Sequence, residues 1–354
     1  MEGISMKDKA YYEDVNIKNE LKLRELQKTL PRFCREFFIG MKTNVSSRTL
    51  LAYAYDLGVF FDFIHEVNPI YQKMEIHDFP IDILNQISAM DIEEYLDYLR
   101  VYEKDGVAHT NDERGISRKL ASLRSFYNYY FKKELIEKNT AQLVDMPKRH
   151  SKTITRLDTD EVATLLDQVE SGEKLTPKQQ VFHEQTKKRD LALMTLMLGT
   201  GIRVSECVGL DINDVDFKNN GVKVHRKGGS EVVVYFGDEV RTALLDYLEE
   251  RMNIQSAVGS TNALFLSLQK KRIGVRSVEN LVKKYSKLVT TVKNITPHKL
   301  RSTYGTSLYR ETGDIYLVAD VLGHSDVNTT KRHYAALEDE RRRQAPKYIH
   351  LRED

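Results

Sequence analysis

Residues 147–156, PKRHSKTITR, constrain this chain most. The stretch opens on a proline, carries Lys148, Arg149, Lys152 and Arg156, and contains no acid. It reads as an extended linker lying close to a polyanion. It divides 354 residues into two parts, enough for two domains of ordinary size. The parts differ in charge: residues 1–146 carry a net −4 and the remainder +6. Ordinary surface variation accounts for that imbalance, so local clustering matters more for a polyanionic partner.

Composition excludes several classes. Hydrophobic residues make up 41% and charged residues 30%, a globular balance with a well-charged surface. No run of about 18 apolar residues occurs, so no membrane span is expected. The first twenty residues are too polar for a signal peptide. Two cysteines, Cys34 and Cys207, exclude a disulfide scaffold and fit a reducing cytoplasm. No Cys or His spacing matches a zinc site.

The first part reads as helical. Leu21, Leu23, Leu26 and Leu30 space a peripheral helix after a frayed start. Leu30-Pro31 breaks it, because a residue before proline disfavours helical geometry. Residues 32–41 form a short helix. Over residues 44–64, Leu50, Ala54, Leu57, Phe61 and Ile64 make one apolar stripe. The first turn there holds Ser46, Ser47 and Arg48, hydroxyls and a guanidinium that suit a phosphate at a helix N-terminus. An N-cap beside a solvated arginine accounts for them equally well. Residues 69–87 read as a loop with short turns, 89–102 as a helix capped by Ser88 or Asp91, and 104–114 as a polar connector. Residues 116–131 are helical, with Leu120, Leu123, Tyr127 and Tyr130 as the core stripe. Arg118, Ser122, Ser125 and Lys132 lie on the other side, and Lys119 belongs to the same basic run. Residues 115–133 contain no acid, which favours contact with a DNA backbone over an ordinary solvated face.

In the second part Asp158 or Thr159 caps a helix over 160–170, and residues 171–185 read as a polar insertion. Residues 189–198 are apolar nearly all round, the mark of a buried helix, which ends at Gly199-Thr200-Gly201. Arg203 and Glu206 follow, one helical turn apart. On this segment alone a structural ion pair explains them better than a phosphate contact. Residues 215–236 are β: Val222 and Val224 alternate with polar neighbours, residues 227–230 turn, and 232–236 return. Lys227 stands at that hairpin tip, where a merely solubilising lysine is the commoner case. A helix over 240–253, a strand at 263–267, a basic loop at 270–276 and a helix over 278–290 come next. Thr296-Pro297 starts another helix, since proline favours the first helical position. His298 and Arg301 fall on one face of its first turn. Gly313 ends it, and a short helix over 314–322 stops at Gly323. His324 follows at a tight turn, and a further helix carries Tyr334.

Taken singly these signals are weak, since a lone histidine or tyrosine usually packs. Their order is specific. TGIRVSE at 200–206, RKGG at 226–229, TPHKLRS at 296–302, LGHSD at 322–326 and Tyr334 ten residues after His324 resemble the tyrosine recombinase (phage integrase) family. The resemblance spans both parts and is closest to the Xer type, and within it to the single-recombinase form. It implies a mainly α protein with a small antiparallel β-sheet. An N-terminal helical segment at 1–30 would precede a helical core-binding (SAM-like) domain at 31–146. A basic linker at 147–157 would lead to a mixed α/β catalytic domain at 158–354.

The family roles, carried onto matching positions, make Tyr334 the nucleophile. Arg203, Arg301 and His324 would hold the scissile phosphate, and His298 would assist proton transfer. Lys227 would protonate the leaving oxygen, with Glu206 supporting Arg203 and Lys227. Ser302 departs from the family, in which a histidine often follows the second arginine. The resemblance also implies two domains gripping a double-stranded recombination site, and a homotetramer on two duplexes exchanging strands through a Holliday junction. It implies resolution of chromosome dimers at a dif-like site, a DNA translocase or accessory factor as partner, and a cytoplasmic, nucleoid-associated location. Residues 338–349, anchored by Leu337, Tyr348 and Ile349, are expected to dock on a neighbouring protomer.

The chemistry is coherent without the family. A phosphodiester's charge repels a nucleophile, and two guanidiniums neutralise its nonbridging oxygens. A phenol is protonated near neutral pH and needs help to lose its proton. The departing 5′-oxygen needs a proton, which a lysine supplies. A 3′-phosphotyrosine conserves the energy of the phosphodiester, so rejoining calls for no ATP, cofactor or metal. The sequence has no acidic cluster of the kind a two-metal nuclease uses. Three other functions compete. An integrase of a phage or conjugative element often carries an extra arm-binding domain, for which the roughly thirty residues before Pro31 are too few. A non-catalytic DNA-binding protein need not fill all seven carried-over positions with competent residues. A topoisomerase without site choice fits the helical first part less well.

Overall fold

The computed structural model describes residues 11–104, 106–148, 155–226, 229–323 and 327. Lys227, His324, Tyr334, Arg149 and Lys152 lie outside them, as do the expected frayed start and the expected docking segment at 338–349. The chain divides into two bodies, Ala10–Lys152 and one from Thr153 onward.

The first body runs α1 (Tyr11–Gln27), α2 (Cys34–Met41), α3 (Ser47–Val67), α4 (Ile83–Gln86), α5 (Ala89–Tyr98), β1 (Val101–Lys104), β2 (Val107–Thr110), α6 (Glu113–Lys132) and α7 (Thr140–Leu143). The stripe predicted for α3 is buried throughout, and so is that of α6. The two helices pack together through a ring cluster: Phe126 of α6 lies 6.1 Å from Phe61 of α3 and 5.1 Å from Phe37 of α2, edge to face. The Tyr130 hydroxyl donates to the Phe33 carbonyl at 2.7 Å, so this tyrosine serves the core. The N-terminal helix is anchored from the outside, with Leu23 as its one buried residue. Leu23 joins the same core while Leu21 faces solvent, and α1 packs along α3.

Two expectations for this body are corrected. The helix predicted over 89–102 stops at Tyr98, and residues 101–110 pair as an antiparallel hairpin, Val101 opposite Thr110. Asp105-Gly106 is a dipeptide that hairpin turns favour, and Gly106 has φ 73°. The accompanying alternation is missing because nearly every strand residue is exposed. The basic face of α6 does have a counter-charge. Arg118 pairs with Asp56, a carboxylate buried in α3, and the Ser122 hydroxyl donates to the same oxygen at 2.6 Å. Lys119 is buried too and donates to Asn111 at 2.7 Å. A scan along α6 cannot find Asp56, which lies 62 residues from Arg118.

The second body runs α8 (Thr159–Ser171), α9 (Pro177–Glu184), α10 (Lys187–Thr200), α11 (Val204–Gly209), β3 (Val215–Asp216), β4 (Gly221–His225), β5 (Glu231–Tyr235), α12 (Asp238–Met252), α13 (Val275–Ser286), α14 (Pro297–Thr312) and α15 (Ile315–Leu322). The apolar α10 sits centrally against α8, α12 and α14. The strands form one antiparallel sheet in the order β3-β4-β5, with Val222 opposite Val234 and Val224 opposite Val232. That register buries Val222, Val224 and Val234. The polar insertion at 171–185 contains α9, started by a Thr176–Gln179 capping box with Pro177 at its first position. Its His183 is buried against the Tyr285 hydroxyl at 2.9 Å. Residues 263–267 form no strand: Ala263 and Leu266 make only isolated bridges, to Asp211 and Arg272. No helix among the described residues is long and apolar enough to cross a membrane.

Arg118→Ala would leave Asp56 buried with only the Ser122 hydroxyl. We expect urea unfolding to register a loss of about 2–3 kcal/mol, because a buried carboxylate without its cation is costly. Arg48→Ala, on the exposed start of α3, should lose under about 0.5 kcal/mol. Equal losses would contradict the pairing.

Candidate active site

The helix α15 ends at Gly323, whose φ of 59° is left-handed and suits glycine. A helix leaves its last carbonyls without partners and gathers partial negative charge there. Three arginines from three other elements take these carbonyls. Arg226 Nη2 donates to Val321 O at 2.7 Å and its Nη1 to Asp320 O at 3.3 Å. Arg301 Nη2 donates to Leu322 O. Arg203 Nη2 donates to Gly323 O at 3.2 Å. The next residue in the sequence is His324.

Each arginine is itself held. Arg203 caps α11, where its backbone N–H and its Nη1 both donate to the buried Glu206 carboxylate, at 2.8 and 2.7 Å. The structural ion pair is present, and it aims a side chain that stays 34% exposed. The structural and phosphate-facing roles of Arg203 therefore do not exclude each other. Arg301 is buried in the first turn of α14, and its Nη1 donates to Gly201 O at 2.5 Å. Gly201 closes α10 with φ 65°. One guanidinium thus ties the end of α10 to the end of α15. Because Arg203 and Arg301 reach carbonyls of adjacent residues, the two groups lie side by side.

The other expected residues fall in several places. His298 is exposed, one turn before Arg301. Ser302 donates to the His298 carbonyl at 3.1 Å, a local bond within its helix. In the first body Ser46 caps the Thr49 N–H at 3.3 Å. Ser47 donates to Asn16 at 2.8 Å and accepts from Asn19 at 3.1 Å, so α1 engages it. Arg48 and Lys148 are exposed, while Ser125 and Arg156 are half-buried. Burial pushes the thiols of Cys34 and Cys207 up, which keeps both protonated and unreactive. Among the described residues no group of three His, Cys, Asp or Glu gathers as metal ligands would. Sequence reasoning missed Arg226, Gly201 and Gly323 as parts of the site. The RKGG motif contains Arg226, but only the fold brings it to α15.

A β-carbon at Gly323 would be strained at this φ and would overlap the Arg226 guanidinium. We expect Gly323→Ala to lose about 1–3 kcal/mol of stability. The loss should shrink in an Arg226→Ala background, giving a coupling of at least ~1 kcal/mol in a double-mutant cycle. Strict additivity would contradict the contact.

The phage integrase family matches residues 155–341. The tyrosine recombinase XerC of Caldanaerobacter subterraneus subsp. tengcongensis is 33% identical over 322 residues, covering 88% of this chain and 84% of that protein. The tyrosine recombinase XerS of Streptococcus uberis is 30% identical over 349 residues, covering 91% and 96%. Among solved structures, the XerH site-specific recombinase bound to palindromic difH substrate superposes with a TM-score of 0.63 at 18% identity, covering 86% and 81%. A lambda integrase dimer bound to a COC′ core site gives 0.58 at 16%, covering 83% and 94%. At these identities the structures speak for the fold.

Proposed function

This chain belongs to the phage integrase family, the tyrosine recombinases, and we propose that it breaks and rejoins duplex DNA at a specific site through a 3′-phosphotyrosine on Tyr334. The observation that carries the reading is the meeting of Arg203 and Arg301 on adjacent carbonyls, Gly323 and Leu322, directly before His324 in the sequence. Two guanidiniums held side by side by the backbone match the nonbridging oxygens of one phosphate.

In this reading the Tyr334 oxygen attacks phosphorus and loses its proton, with His298 assisting. The bond from phosphorus to the 5′-oxygen breaks, and Lys227 gives that oxygen a proton. Arg203, Arg301 and His324 bear the charge that builds on the nonbridging oxygens, and Glu206 keeps Arg203 oriented. Rejoining runs the same steps backward with a new 5′-hydroxyl. No cofactor enters this balance.

For the DNA contacts, Arg48, Lys148, Arg156 and Ser125 are candidates that keep some exposure, with Arg149 and Lys152 between Lys148 and Arg156 in sequence. Arg118, Lys119, Ser46, Ser47 and Ser122 have bonds inside the first body that a phosphate would have to share or replace. Identity near 30% to XerC and XerS over most of the chain supports an Xer role: chromosome dimers resolved at a dif-like site by a homotetramer on two duplexes. A DNA translocase or accessory factor would then be a further partner.

A suicide duplex nicked beside the cleavage point tests the chemistry. The protein should form a covalent adduct, and Tyr334→Phe should bind the duplex without forming one. An adduct in that variant would remove Tyr334 as nucleophile. Arg203→Ala and Arg301→Ala should each slow adduct formation by about 10²–10³. Rates near wild type in both would take them out of the site. Arg48→Ala should lower the slope of log affinity against log salt by about 0.9, the share of one phosphate contact. An unchanged slope would remove Arg48 from the interface.

A further inference from the structure

Arg226 has no part in the chemistry set out above, yet it is built into the same end of α15. Its backbone belongs to the hairpin: its N–H donates to Ser230 O at 2.8 Å, and its carbonyl accepts from the Gly229 N–H at 3.1 Å. Its side chain leaves the hairpin for α15 and takes Val321 O at 2.7 Å. The Asp320 carbonyl, which it also reaches, already accepts from the Gly323 N–H at 2.8 Å. At the helix end Arg226 takes Val321 and also reaches Asp320, Arg301 takes Leu322 and Arg203 takes Gly323. Arg226 is not a loose surface cation. Its Nε is buried, and its guanidinium lies over Gly323 where any β-carbon would collide with it.

Without Arg226 the Val321 carbonyl loses its partner at the negative end of a helix. A carbonyl left bare attracts the nearest donor, and the guanidiniums on the next two carbonyls are the nearest. Arg301 or Arg203 would then turn toward Val321 and away from the position in which both face one phosphate. We propose that Arg226 is a positioning residue for the phosphate clamp: by occupying Val321 O it keeps Arg301 on Leu322 and Arg203 on Gly323. This rests on the recombinase reading, and it assigns Arg226 no contact with DNA.

The test compares the intact chain on two suicide duplexes that differ only at the scissile linkage. One is the ordinary phosphodiester. The other is a methylphosphonate, in which methyl replaces one nonbridging oxygen and removes the charge. A neutral linkage asks less of the guanidiniums. Arg226→Ala should leave duplex affinity unchanged and slow adduct formation on the phosphodiester about 10²-fold, as misplaced catalytic groups do. On the methylphosphonate its deficit against the unsubstituted chain should shrink to ~10-fold or less, in the direction that Arg203→Ala and Arg301→Ala also move. Equal deficits on both duplexes would mean a loosened hairpin and would overturn the proposal, as would no deficit at all. If Arg226→Ala does not fold, Arg226→Lys keeps the charge but reaches a single carbonyl, and the same comparison decides. If the unsubstituted chain gives no adduct on the phosphodiester, it is the recombinase reading that fails, whatever Arg226 does.

Discussion

The last carbonyls of α15 are what the site depends on. Three guanidiniums brought close together repel one another, and a cluster of that kind needs fixed negative partners. Here those partners are backbone oxygens at the negative end of a helix, each aimed by the helix itself. The carbonyls hold the arginines at a set spacing, so in the proposed reaction a phosphate would meet donors already oriented, with little reorganisation left for the reaction step. Glu206 and Gly201 O complete the arrangement by fixing Arg203 and Arg301 from behind.

The fold of the second body serves this one place. A buried helix, α10, brings Gly201 to the centre, and Pro297 starts α14 so that Arg301 faces it. The β4–β5 hairpin contributes Arg226, and the left-handed Gly323 leaves room for its guanidinium. None of these elements contains the site by itself. Packing of α10 against α12 and α14 sets their relation, so the chemistry of the arginines is secured by apolar burial some distance from any phosphate.

Much of this was legible in the sequence. The stripes of α3 and α6, the burial of α10, the β4–β5 hairpin and the glycine stops at 201, 313 and 323 follow from periodicity and turn chemistry. The motifs around Arg203, Arg301 and His324 named the family. Partners supplied from far along the chain were not legible. Asp56 neutralises Arg118, and Val321 receives Arg226, through contacts that no local pattern records. The β1–β2 hairpin was missed for a different reason: its strands bury almost nothing, so they lack the alternation by which strands are recognised. The helix α9 was overlooked although its capping box and N-terminal proline are local signals, because its composition is polar.

The central claim is that one transesterification site is built at the end of α15 and uses Tyr334. The most direct measurement is the linkage itself: trap the adduct on a suicide duplex, digest protein and DNA, and identify by mass spectrometry the residue and the DNA end that are joined. The account predicts a nucleotide joined through its 3′-phosphate to the peptide carrying Tyr334, with a free 5′-hydroxyl on the released strand. A nucleotide on any other residue, or a 5′-phosphate linkage, would contradict it.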